Sequence, residues 1–577
     1  MYIREKNSES YELEEFRMNK PNRNKLLCRE DILTITKKLV GIDSIVNTDG
    51  EKDIAKVIYS YLASYPYFVA NSSQLVMEQT INDEKKRYNV LAYVKGAKGV
   101  SNRTVVLMGH MDTVGVDDFN KQRHLAFSPD EWMEYLKSGE IPEQAQEHLE
   151  SGDWLFGRGV LDMKSGLASN IYLVTYYAEH PELLDGNLVF IAECDEEDSS
   201  HGILSALKIL KKWNKELAFD YVAAINSDFV APAYEGDENR YVYKGTVGKL
   251  LPSFFITSEE THVGSAFDGL DPNFIVAELT KQISYNPDLS DTALGESTLP
   301  PVSLKQTDLK PSYTVQTALS AYVYYNFFVH SWSPEKVLSL LKEQASLAFT
   351  NALKSFEERY QKYCRMSNQP YRSIPWNPRV FTYSEMQEML TRTHGGQYEQ
   401  HMSVFKKELL QDKTLDTRMF AACVVEESWK FMTDKSPAII VFYSSLYSPR
   451  VALTGETGDE QRLLEALNHA VNVLQPEYKY PIVAKNFFPH ISDMSFVAMS
   501  DNMDEIDYTV TNTPSWGEKL HVSYEDVHDL NIPVINIGPY GMDGHKKLER
   551  VEMTYSLEIV PNLTNHVIQY VLNNENG

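Results

Sequence analysis

The chain has 577 residues, 43% hydrophobic and 24% charged, with a formal net charge of −26. That length exceeds one ordinary hydrophobic core and implies about two to four domains of a globular protein. The charge argues against nucleic acid and against an anionic membrane surface, since both need clustered Lys and Arg.

Residues 1–28 are polar and without a clear period, and read as an N-terminal extension with no secretory signal. Two stretches with helical spacing follow, Ile32 to Val40 and Ile54 to Leu62. Asn89 to Val94 reads as a strand, and Thr104 to Met108 as a second, closed by Gly109-His110-Met-Asp112. Residues 115–155 are polar, acidic and aromatic, a long excursion before Trp154-Leu-Phe-Gly-Arg-Gly-Val-Leu-Asp162 returns to buried character. Helix, strand, helix and strand then alternate: Gly166 to Tyr177, Asn187 to Ala192, Gly202 to Trp213, Tyr221 to Ile225. This alternation predicts an α/β fold, a three-layer α/β/α domain with a largely parallel or mixed sheet.

The texture changes near Lys244-Gly-Thr-Val-Gly248. A helix pattern at Ile275 to Ile283, a strand-like run at Ala318 to Val329 and a long helix from about Pro334 to Tyr363 predict an inserted α+β lid over 246–390. The α/β domain, 29–245, then resumes over 391–577, with a strand at Ala438 to Phe442, a helix at 459–474, a strand at Val534 to Ile537 and a helix at 551–572. No run approaches the roughly 18 apolar residues of a membrane helix. Cys28, Cys194, Cys364 and Cys423 form no CxxC pair, which fits a reducing compartment and a cytoplasmic location.

Several segments deliver an acid or a histidine to a strand end: His110 and Asp112, Asp162, Asp195-Glu196-Glu197, and Asp228. His545, in Gly538-Pro-Tyr-Gly-Met-Asp-Gly-His545-Lys-Lys-Leu-Glu549, is a further candidate. Residues two apart on a strand face the same way, so His110 and Asp112 share one pocket. Carboxylates and imidazoles are the donors that zinc accepts, and a pair of metals wants one shared carboxylate plus an acid and a His each. The bland readings are an N-cap for Asp162, a solvated acidic face for Glu196-Glu197, a capping role for Asp228, an idle turn for His545 and a core histidine for His262. There is no GxSxG elbow, Walker motif or HExxH helix.

With these motifs in this order and spacing, together with the Gly-Thr-Val-Gly element and His262, the chain resembles the zinc-dependent aminoacylases and exopeptidases. That family includes acetylornithine deacetylase, succinyl-diaminopimelate desuccinylase and glutamate carboxypeptidase. Within it, the length and long middle insertion resemble the arginine-utilisation branch. The resemblance implies two zinc ions, with cobalt or manganese as substitutes. It implies that Asp162 bridges them, that His110 and Asp228 complete one site, and that Glu197 and His545 complete the other. Asp112 would orient His110, Glu196 would be the general base, and His262 would help hold the oxyanion, often across a dimer interface formed by the lids. The substrate would be an N-acyl amino acid or a short peptide. In one respect the chain departs from its relatives. The strand Ala321 to Val329 lacks the arginine with which many of them grip a substrate carboxylate. That leaves open a second reading, a degenerate member that binds an amino-acid-like ligand or a partner without hydrolysing it.

Overall fold

A computed structural model describes residues 29–490 and 492–573; the extension read over 1–28 lies outside them. The chain forms a mixed α/β fold built on two main sheets. Among the described residues, the larger sheet has eight strands. Leu75–Gln79 starts one edge, followed by Tyr88–Lys95, Asn187–Glu193, Arg103–His110, Asp220–Asn226, Val534–Asn536, Arg240–Tyr243 and Ile482–Lys485. Its centre is parallel: Arg103–His110 runs with Asn187–Glu193 on one side and with Asp220–Asn226 on the other. These strands are apolar at nearly every position, as strands covered on both faces must be. Val105 to Met108 and Leu188 to Ala192 are fully buried. The helices Lys164–Glu179 and Val560–Leu572 pack on Arg103–His110, and His201–Leu217 packs on Asn187–Glu193.

The polar excursion carries two helices, Pro129–Leu136 and Glu143–Ser151, which rest on Trp154–Phe156. Pro129 in the first turn of one helix, Pro142 just before the other, and the buried Trp132, Leu136, Ala145 and Leu149 account for these two short helices. The last helix begins later than its sequence pattern suggests. Arg550–Glu552 is a strand, and helical backbone starts directly after it, at Met553.

The second sheet corrects the domain boundary set at 390. Its strand order is Val302–Asp308, Ser320–Val329, Pro252–Thr257, Ala438–Tyr443, Val380–Thr382. Ala438–Tyr443, assigned from sequence to the α/β domain, pairs antiparallel with Pro252–Thr257 along its whole length. Both faces of this sheet are covered. Phe254, Ile256, Val323, Tyr325, Ile439 and Val441 join the main core, where Pro272–Ile283 and Pro334–Ser367 pack. The alternate residues Phe255, Tyr322, Ile440 and Phe442 join a separate core with the helices Tyr383–His394, Gly396–Leu409 and Thr417–Trp429. A strand buried on both faces loses its polar alternation, so Ala438–Tyr443 resembles a strand of the parallel sheet in sequence.

Candidate metal centre

Three neighbouring parallel strands end at one place. His110 closes Arg103–His110, the turn Cys194 to Glu197 follows Asn187–Glu193, and Asp228 lies just beyond Asp220–Asn226. The carboxyl ends of adjacent parallel strands form the crevice where open α/β sheets bind ligands. Asp228 is fixed by Asn536 on the next strand, which accepts from the Asp228 N–H at 3.0 Å and donates to its carbonyl at 2.8 Å. Gly538 packs so closely there that a Cβ would lie 1.7 Å from the Asp228 carbonyl oxygen, so no larger residue fits.

The remaining donors come from one small sheet. Trp154–Phe156 pairs with Arg550–Glu552, which pairs with Gly541–Met542. Asp162 sits in the turn after the first of these strands, and His545 in the turn between the other two. Glu549 joins the turns. Its Oε1 accepts from the Leu161 and Asp162 N–H groups at 3.2 and 3.3 Å, and its Oε2 accepts from Arg158 Nη1 at 2.6 Å. His545 has a φ of +63°, an uncommon conformation for histidine that tends to persist at functional sites.

The result is two overlapping donor sets, His110/Asp162/Asp228 and Asp162/Glu197/His545, each with donor atoms within 4.8 Å of one another. Asp162 belongs to both. His110 Nε2 lies 3.0 Å from Asp162 Oδ1, and His545 Nε2 lies 2.7 Å from Asp162 Oδ2 and 3.2 Å from Glu197 Oε1. Glu197 Oε1 is buried, and beyond this approach of His545 it makes no hydrogen bond among the described residues, which leaves it open to a cation. His110 Nδ1 lies 3.1 Å from the Asp112 carbonyl, so a proton there leaves the Nε2 lone pair aimed at the cluster. The Asp112 carboxylate, 3.7 Å from the same nitrogen, instead accepts the N–H groups of Glu196 and Glu197 at 3.3 and 3.1 Å. It therefore clamps the acidic turn as well as flanking the histidine.

The electrostatics point the same way. Burial, then the neighbouring Asp162, pushes Asp228 up to about 8. Burial, opposed by His110 and reinforced by Glu197, pushes Asp112 up to about 6. Glu196 is also pushed well up, by burial and then by Asp493, Asp228 and Glu197 against the pull of His110. Burial alone would lower His545, but the Asp162 and Glu197 carboxylates raise it to about 11. Asp162 itself is held low against burial by the two imidazoles. So many buried acids beside two imidazoles make a pocket short of positive charge, which divalent cations would supply while competing with protons for the same lone pairs. The donor set fits such a pair. Carboxylate and imidazole ligands suit zinc, with cobalt and manganese as alternatives.

Of the residues picked from sequence, His110, Asp112, Asp162, Glu196, Glu197, Asp228 and His545 converge here. His262 does not. It is exposed on the second domain, with Nδ1 accepting from the Gly264 N–H at 3.0 Å, and lies outside both donor sets within the single chain. Sequence reading missed Asp493 and Glu193, buried acids with one unpartnered oxygen each, whose charges reach Glu196 and His110 respectively. Glu193 was hidden as the last residue of an apolar strand. Asp493 lies in a stretch without period, although its Oδ1 accepts from Ser200 Oγ at 2.7 Å. Asp195 is not a donor to the centre: it anchors the acidic turn by accepting from Arg87 Nη1 at 2.5 Å and from the His201 N–H at 3.2 Å.

Residues 106–236 match the model of peptidase family M20/M25/M40. Protein RocB of Bacillus subtilis is 36% identical over 544 residues, 94% of this chain and 95% of its own. A succinyl-diaminopimelate desuccinylase of Psychrobacter arcticus is 23% identical over 48% of this chain and 60% of its own. In fold, the aminopeptidase PepT of Bacillus cereus superposes with a TM-score of 0.50 at 12% identity, covering 95% of this chain and all of that one. The chain therefore belongs to the M20/M25/M40 peptidase family, whose members are metal-dependent hydrolases of amide bonds.

Proposed function

We propose that this chain is a binuclear zinc amidohydrolase that cleaves the amide of an N-acyl amino acid or a short peptide. The observation that carries the reading is the position of Glu196. Its carboxylate lies outside both donor sets yet 3.9 Å from His110 Nε2, at the edge of the cluster that shares Asp162. Two cations held by His110, Asp162, Asp228, Glu197 and His545 would supply Lewis acidity, polarising the carbonyl and easing the ionisation of water. Glu196 takes the proton of the attacking water and returns it to the leaving nitrogen. Burial and acidic neighbours raise its proton affinity, and nearby cations offset part of that rise, which suits a group that must both accept and donate. Asp112 holds the turn carrying Glu196 at a fixed distance from the donors.

The desuccinylase relative supports a deacylase, and the resemblance to the arginine-utilisation branch supports a substrate from arginine or ornithine metabolism. Free Cys194, Cys364 and Cys423 support a cytoplasmic location. Pairing of the second domains in a homodimer is supported by the exposed edge strand Val302–Asp308, where Leu304 is 56% exposed, and would give His262 a site to complete in the partner. The test is a chelator-sensitive amidase assay over N-acyl amino acids and dipeptides. Glu196→Gln should keep its metal and lose at least about a thousandfold in kcat. Near-normal turnover in that variant would remove the proposed base. Absence of chelator-sensitive turnover across the panel would favour the ligand-binding reading instead.

A further inference from the structure

The turn that carries Glu196 and Glu197 is not one the backbone adopts unaided. It opens at Asp195, with a φ of +67°, and closes at Ser200, with a φ of +53°. The left-handed region is uncommon for residues other than glycine, and it persists where the surroundings hold it. Asp112 accepts the N–H groups in the middle of the turn, and Asp493 accepts Ser200 Oγ at its closing end. The opening end is held by the side chain of Asp195. Its Oδ2 accepts from the His201 N–H at 3.2 Å, and its Oδ1 accepts from Arg87 Nη1 at 2.5 Å.

Arg87 ends the loop between the strands Leu75–Gln79 and Tyr88–Lys95, where its carbonyl accepts from the Thr80 N–H at 3.0 Å. Its guanidinium is buried and spans three carboxylates. Nε and Nη2 donate to Asp83 at 2.8 and 3.0 Å, and Nη1 reaches Glu51 at 3.3 Å as well as Asp195. Glu51 also accepts from the Asn47 N–H at 2.7 Å, and Asn47 Nδ2 donates to Asp198 of the same turn at 3.2 Å. A planar fork serves several acids at once, which a compact ammonium does less well. The reach of Arg87 is one-sided. Of the metal donors, only Glu197 rides on this turn. His110 is fixed by strand pairing on both sides, Asp228 by Asn536 and Asp162 by Glu549. The set Asp162/Glu197/His545 and the base Glu196 therefore depend on the Arg87 contact, and the set His110/Asp162/Asp228 does not.

We propose that Arg87 is a positioning residue that acts through Asp195, placing Glu197 for one of the two cations and Glu196 for proton transfer. This deepens the amidohydrolase reading and rests on it for the pair of cations and for the role of Glu196.

Two variants of the full chain test it. Asp195→Asn removes the charge facing Arg87 but keeps a residue type that tolerates the left-handed backbone. Arg87→Lys keeps the charge in the buried cluster but removes the fork. Calorimetric titration of the metal-free protein with zinc should show two binding steps in the parent. Each variant should weaken one step by about tenfold or more and leave the other within about threefold. With zinc at saturation, kcat should fall at least about tenfold while KM stays within about twofold, because the base acts in the transition state. An ion pair that merely stabilises the fold would lower Tm without separating the two zinc steps, or kcat from KM. Equal weakening of both steps, or both steps and kcat at parental values, overturns the positioning role and leaves the amidohydrolase intact. Selective loss of one step in a protein without amidase turnover supports the placement of Glu197 and removes the hydrolase instead.

Discussion

Glu549 shows how much of the centre rests on a residue that is not itself a donor. It fixes the backbone before Asp162 and lies four residues after His545, so it sets the distance between the shared carboxylate and one of the two imidazoles. Burial, moderated by Arg158, raises its own carboxyl to about 7. Glu549→Gln keeps an acceptor for the two N–H groups but loses the charge facing Arg158, which retains Asp118 at 3.0 Å. We expect metal affinity to fall about 10–100-fold, with kcat of the metal-saturated protein within a few-fold of the parent. Competition titration with a chromophoric chelator reads the first quantity, and unchanged affinity would deny Glu549 this role. At this scale the sequence was informative where a donor closed an apolar strand, as with His110, or sat among glycines, as with Asp162. It was silent on Asp493, which lies in a stretch without period yet is buried and accepts from Ser200 Oγ at 2.7 Å.

Individual elements are joined by charge as well as by apolar packing. Asp526, in Tyr524–Leu530, accepts from Lys208 and from Lys211 at 2.7 Å, and Lys211 also reaches Asp529 at 2.8 Å, tying this short helix to His201–Leu217. Burial would raise the Asp526 carboxyl, but the two ammonium groups lower it from 3.8 to about 2. A carboxyl held low in the folded chain adds stability above its unfolded value, and that stability is lost as pH falls from about 4 to about 2. The lysines are 49% and 36% exposed, so solvent screening limits the contribution to about 1 kcal/mol. Asp526→Asn should therefore destabilise by about that amount at pH 7, with the difference closing below pH 3 in chemical denaturation. A difference that persists unchanged at pH 2 would assign the effect to packing. The elements themselves were readable when their period was clean. Pro334–Ser367 and Lys164–Glu179 appear close to where spacing put them, whereas Ala438–Tyr443 has no period to show which sheet it serves.

For the whole molecule, bound cations are ligands of the folded state only, since the donors come together nowhere else. On the proposed binuclear reading, each site would contribute about 4 kcal/mol with free metal a thousandfold above its Kd. Chelation should lower Tm measurably, and stoichiometric zinc should restore it; a Tm indifferent to both would argue against a structural load on the centre. The two-domain α/β plan was readable because strands and helices alternate so regularly between Asn89 and Ile225. The extent of the insert was not, because the three helices between Tyr383 and Trp429 cover the second face of its sheet and remove the polar alternation that would have marked it.

Asp162 and His545 meet across 383 positions of sequence, and the second domain is threaded between them. During synthesis the ribosome must release nearly the entire polypeptide before the second donor set can exist. Only the second donor set is therefore bound to form late, and a chain truncated anywhere before His545 would leave that set without its imidazole.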